Sequence, residues 1–135
     1  MKTGKELMHE WYDRVWNHGE EAAVFEMMHK NCEMQGLDLP ERGPNGFLQF
    51  YRGFAGAFEN MRIEPIELVE EAGHVAGFAK FTGRHKKSGR DVELVYATSG
   101  KWENGVVVST REIVDFGSLL SQIGAAEMPA LFEAM

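Results

Sequence analysis

The chain is short of the residues that most directly signal chemistry. Cys32 is its only cysteine, so an intrachain disulfide is impossible and no Cys-x-x-Cys pair is available for a metal or a redox couple. The five histidines, at positions 9, 18, 29, 74 and 85, never fall at the His-x-x-x-His spacing that puts two ligands on one helix face. No cofactor is therefore expected. No phosphate-cradling loop is present either, because GRHKKSGR (83–90) lacks the Gly-Lys-Ser/Thr ending. Positive charge is in deficit: 14 Lys and Arg stand against 21 Asp and Glu, a net charge of -7. That balance argues against nucleic acid or an anionic membrane as partner, since little would offset phosphate repulsion. No apolar run approaches the roughly 18 residues that span a bilayer, and MKTGKELMHEW has no apolar signal-peptide core. A cytoplasmic location is expected.

What the chain does have is a core and a clear change of period. Hydrophobic residues make up 44% of its 135 residues, enough for one domain over 1–135. In KELMHEWYDRVWN (5–17), Leu7, Met8, Trp11, Tyr12, Val15 and Trp16 follow the stripe of an amphipathic helix, stopped by Asn17-His18-Gly19. EEAAVFEMMHK (20–30) predicts a second helix with glutamates in its first turn. NCEMQGL is a short extended piece, and LPERGPNG a loop. A third helix is predicted over FLQFYRGFAGAFENM (47–61), where Gly53 and Gly56 suggest close packing. After Met61 the period becomes two. RIEPIELVEEAG, HVAGFAKFTGRHK, VELVYATSGKW and VVVSTREIVDF read as four strands, with Glu-Asn-Gly as a hairpin signal. Helices followed by an antiparallel meander and a last helix make an α+β fold.

Three pieces of the chain, in this order, resemble the SnoaL-like branch of the nuclear-transport-factor-two-like superfamily. EWYDRVWNHGEEAAVFEM is similar to that family's opening helix. GPNGFLQFYRGFAGAFENMRIEPIELVEEAGHVAGFAKFTGRH resembles its central block, with Gly-Pro opening a helix and a strand closing on Thr-Gly-x-His. WENGVVVSTREIVDFGSLLSQIG resembles its ending. The resemblance implies a cone-shaped curved antiparallel sheet wrapped around N-terminal helices, with a deep apolar pocket. It also implies a homodimer paired through its sheets. Members include polyketide cyclases, isomerases, epoxide hydrolases and non-catalytic domains, so fold alone does not fix function.

Asp115 is the candidate catalytic residue. In the family's cyclases an aspartate on the last strand removes a proton next to a carbonyl, and Asp115 matches that position. A carboxyl in an apolar pocket loses hydration, its pKa rises, and it becomes a base near neutral pH. Asp115 equally fits a cap for the helix that follows, with Ser118 as a competing cap. Arg111 and Ile113 share its parity and hence its strand face. Arg111, where the family often has Trp, either binds a substrate carboxylate or enolate, or joins an ion pair with Glu93 or Glu112. His85 is either a donor on the pocket rim or a solvated turn residue. Tyr12, Trp16, Phe50, Tyr51, Phe54, Phe81, Tyr96 and Trp102 line either a pocket or a core, and Trp16 and Tyr51 are expected to meet one cavity. Lys101 and Ser99 occupy the strand where a second acid or base belongs. The expected function is cofactor-independent acid/base catalysis next to the carbonyl of a small hydrophobic molecule, as in a polyketide cyclase or isomerase. The alternative is a non-catalytic ligand-binding or accessory domain. A homodimer is expected through the mixed face of Ala76, Phe78, Lys80, Thr82 and Arg84.

Overall fold

In the computed structural model, which describes residues 1–124, each period in the sequence becomes an element. Residues 125–135, included in the expected single domain, lie outside the described residues. Helix α1 (Gly4–Trp11) opens on a capping box: Thr3 Oγ1 accepts from Glu6 N at 3.1 Å, and Thr3 N donates to Glu6 Oε1 at 3.0 Å. Two further N–H groups of its first turn, from Gly4 and Lys5, donate to the Glu70 carboxylate, each at 2.9 Å. The anion meets the positive end of the helix dipole and fixes α1 against the sheet. From Tyr12 to Asn17 the helix widens into a π-helical turn, a rare form that often marks functional sites. The turn ends on Asn17, whose side chain donates to Ile63 O at 2.9 Å and accepts from Ile63 N at 2.7 Å.

Helix α2 (Glu21–Met27) passes directly into strand β1 (Met28–Gln35). The expected short extended piece is thus a full strand that begins earlier, and the second helix stops before His29. Helix α3 (Gly43–Ala57) starts with Pro44 in its first turn, where a missing N–H costs nothing. It ends four residues sooner than expected, because Phe58 already belongs to β2 (Phe58–Glu71). A Cβ placed on Gly53 or Gly56 would meet nothing within 4 Å, so the close packing expected there is absent.

Strands β3 (His74–His85), β4 (Asp91–Glu103) and β5 (Val106–Ile113) complete a five-stranded curved sheet of order β1-β5-β4-β3-β2. The meander is antiparallel as expected, and β1 joins β5 in parallel at its edge. Asn104 and Gly105, at φ 51° and 83°, form the hairpin turn foreseen from Glu-Asn-Gly. In β5 the register skips: Lys101 faces Ser109, but Trp102 faces Val107, so Val108 is an extra residue. Such a bulge reverses which alternate residues face inward. Helix α4 (Phe116–Gln122) closes the chain's described part and is fastened to β4 by Gln122, which accepts from Glu93 N and donates to Glu93 O, both at 2.8 Å. The core lies on the concave side, where α1, the π turn, α2 and α3 bury Val15, Val24 and Phe47 against Val75, Ala79 and Val92 of the sheet.

Candidate functional site

The concave side is not filled completely. Aromatic side chains from the π turn and α3 leave a cavity of about 70 Å³ against the sheet, room for several waters, since about 10–15 Å³ of such space holds one. Trp16 forms its centre. It packs edge-on against Phe47, Phe50, Tyr51 and Phe54, with ring centroids 5.1–6.5 Å apart. Phe81 closes one side, edge-on to Phe54 with ring centroids 5.3 Å apart. Leu37, Val114 and Phe116 also border the space. Of the residues expected from the sequence, Tyr12, Trp16, Phe50, Phe54, Phe81 and Tyr96 line this cavity.

One lining residue brings a carboxyl: Glu112. The bulge at Val108 accounts for its position. Val107 is buried, and simple alternation from it points Arg111, Ile113 and Asp115 inward. The extra residue shifts the inward set to Thr110, Glu112 and Val114. Burial pushes the Glu112 carboxyl up from 4.5 to about 8, with the nearby hydroxyls of Thr110 and Thr98 pulling part of the rise back. Even so, neither Glu112 Oε2 nor Thr110 Oγ1 makes a hydrogen bond of normal geometry among the described residues.

Beside it stands a chain of hydroxyls. Tyr96 OH donates to Tyr12 OH at 3.1 Å, and Tyr12 OH donates to Thr98 Oγ1 at 3.3 Å. Burial, with the facing Glu112 charge adding to it, pushes Tyr12 up to about 12, and burial raises Tyr96 well above the ordinary tyrosine value. Both phenols therefore stay neutral and remain donors. Cys32, fully buried nearby, is pushed up to about 12 by burial first and by Glu112 and Glu33 after it, which makes it an unreactive thiol.

Five expected site residues lie elsewhere. Asp115 is exposed and caps α4, its Oδ1 accepting from Ser118 N at 2.9 Å; the capping role weighed for it is the one observed. Arg111 is exposed on the outer face and holds Gln35 Oε1 of the neighbouring strand through Nε at 2.8 Å and through Nη2. It pairs with neither Glu93, which binds Lys80 at 2.7 Å, nor Glu112. His85 stays at its turn, with Nδ1 2.9 Å from Ser88 Oγ and its ring against Phe58. Tyr51 packs on Trp16 without reaching the cavity, and Trp102 lies in a separate space behind it. Lys101 points to the turn, where Nζ donates to Ala72 O at 3.0 Å. Among the described residues no group of three or more His, Cys, Asp or Glu side chains is placed to hold a metal ion, and no helix is long and apolar enough to cross a membrane.

Unbroken alternation along β5 hides Glu112, because the bulge at Val108 breaks it. The signal available was the run Val106-Val107-Val108, three apolar residues together, which an alternating strand does not need and a bulge explains.

The family profile for SnoaL-like polyketide cyclases matches residues 6–123. No match was found among curated proteins. Among solved structures, TsrD from Streptomyces laurentii is 22% identical over 90% of this chain and 94% of its own, with a TM-score of 0.80. IdmH from Streptomyces antibioticus is 19% identical over 91% of this chain and 99% of its own, at a TM-score of 0.81. A SnoaL-like polyketide cyclase from Agrobacterium tumefaciens is 19% identical over 92% and 100%, at 0.76. At these identities the likeness is one of fold.

Proposed function

The chain belongs to the SnoaL-like polyketide cyclase family, and on that premise we propose that it is a cofactor-independent acid/base enzyme acting next to the carbonyl of a small hydrophobic molecule, with Glu112 as its base. The observation that carries this is a lone carboxyl, raised to about 8, in an aromatic cavity. A base is most useful when its pKa lies near the working pH. Glu112 in its ionised form takes a proton from the carbon beside the carbonyl. The C–H electron pair moves into the enolate, whose oxygen is met by the neutral hydroxyls of Tyr12 and Tyr96. In a cyclase the enolate carbon then attacks a second carbonyl of the same molecule, and the proton on Glu112 goes to the new alkoxide. In an isomerase it returns to another carbon. The protein functions as a cytoplasmic homodimer, joined through the outer face of its sheet; its net charge of -7 keeps it from nucleic acid and anionic membranes.

A hydrophobic ketone in heavy water provides the test. Wild-type protein should speed exchange of the hydrogens beside the carbonyl, followed by proton NMR. Glu112→Gln should slow that exchange by about 10² to 10⁴, while Asp115→Asn leaves it unchanged. Binding of the ketone with no acceleration of exchange would instead establish the non-catalytic ligand-binding domain.

A further inference from the structure

Three buried side-chain atoms have no hydrogen-bond partner among the described residues: Trp102 Nε1, Thr110 Oγ1 and Glu112 Oε2. All three residues line one small chamber of about 20 Å³ behind the main cavity. Glu112 and Tyr12 stand in the wall between the two spaces, since both residues line each of them. The rest of the chamber includes apolar side chains such as Met8 and Val107. Trp102 itself is only 6% exposed. A buried polar atom left unmade is costly, and native proteins answer it with protein partners or with ordered water. One water needs about 10–15 Å³ and two to four polar partners. The chamber offers space for one and three partners for it.

Their chemistry is complementary to a water molecule. The indole N–H only donates, an ionised carboxylate only accepts, and a hydroxyl does both. We propose that the chamber is an ordered-water site, in which one water accepts from Trp102 Nε1 and donates to Glu112 Oε2 and Thr110 Oγ1. The groups facing Glu112 are Tyr12 from the π turn, Cys32 from β1, Tyr96 and Thr98 from β4, and Thr110 from its own strand. None of them is a cation. The water therefore supplies a hydrogen bond that favours the ionised carboxylate and draws its pKa back toward neutrality. Trp102 acts through that water and is a positioning residue. The site itself rests on geometry; only its consequence for catalysis rests on the function proposed above.

The experiment needs no substrate. In ligand-free wild-type protein, the Trp102 indole proton should show a nuclear Overhauser effect to a long-lived water. The Glu112 carboxyl, followed by carbon-detected NMR titration, should rise by about one pH unit in Trp102→Phe, because a hydrogen bond to a charged group is worth about that much. The Overhauser signal is read on wild-type protein and needs no variant, so the question stays open to measurement even where Trp102→Phe fails to fold. Absence of the water signal, or a Glu112 titration unchanged in a folded variant, would overturn the water site. Loss of the exchange activity proposed above would leave both readouts standing, and a missing water would leave that activity standing.

Discussion

Glu112 keeps its proton to higher pH in the folded protein than in the unfolded chain, because burial carries its pKa from 4.5 to about 8. The consequence for stability has a definite sign. Below about pH 4.5 both states hold the proton, and the neutral carboxyl carries no penalty. Between about 4.5 and about 8 the unfolded chain releases it and the folded protein does not, so stability falls by about 1.4 kcal/mol per pH unit. Above about 8 both states are ionised and the loss levels off, at no more than about 5 kcal/mol. Glu112→Gln has no such proton. Urea unfolding at a series of pH values should therefore show the variant gaining on wild type from about pH 4.5 to about pH 8, by several kcal/mol, and no further gain beyond. A difference that does not change with pH would mean a solvated carboxyl and no activated base. The same residue marks the limit of what the sequence discloses about the site. Aromatic lining residues such as Trp16, Phe50 and Tyr96 were legible, because helical and strand spacing both expose an apolar face. The acid was not, because one added residue at Val108 moves the whole of the strand beyond it to the opposite face, and parity counted from Val107 then selects Arg111 and Asp115.

At the scale of elements, the cavity depends on how the π turn is held. Tyr12 and Trp16 both lie on it, and its last residue, Asn17, engages both backbone groups of Ile63 in β2. An amide side chain reproduces here the pairing that a neighbouring strand would give. Asn17→Ala leaves a half-buried N–H and C=O without partners, and should lower the unfolding free energy by about 2 kcal/mol. Asn17→Asp keeps the acceptor for Ile63 N but loses the donor for Ile63 O, so chemical denaturation should place it below wild type as well. An alanine variant as stable as wild type would mean that water replaces the clamp without cost. The helices and the four-strand meander were readable from the switch between helical and two-residue periods. Two boundaries were not. Phe54 and Phe58 are four apart, so the apolar helical spacing of α3 runs on into the first residue of β2, where the chain has already become extended. Strand β1 shows no alternation, since only Met28 and Cys32 of its eight residues are buried, and its partner β5 lies far along the chain.

For the molecule as a whole, the outer face of the sheet is the surface on which the proposed homodimer would form. Phe78, Ala97 and Ile113 are paired in register across β3, β4 and β5, forming one row, and Val95 lies beside it. Phe78, Val95 and Ile113 are 45%, 55% and 67% exposed, an unusual cost for side chains of this size in water. Two chains of net charge -7 repel one another, so a face that joins them must be nearly neutral by itself. Three of its cations are each paired with an acid: Lys80 with Glu93 at 2.7 Å, Arg62 with Glu64 at 2.6 Å and Arg84 with Glu59 at 3.4 Å. A second copy of the same face would bury the apolar row. A stable pair needs about 800 Å² from each partner, a demand that the outer faces of three adjacent strands can meet. Sedimentation equilibrium at micromolar concentration should therefore give twice the chain mass for wild type. Phe78→Lys combined with Ile113→Lys should give a single chain, with unchanged circular dichroism, because both side chains point away from the core. Salt adds a second check: raising it screens the repulsion between the two acidic chains and should strengthen an association held by apolar burial. A wild-type protein that sediments as a single chain at every salt concentration would sink the homodimer and leave the exposed row without an occupant.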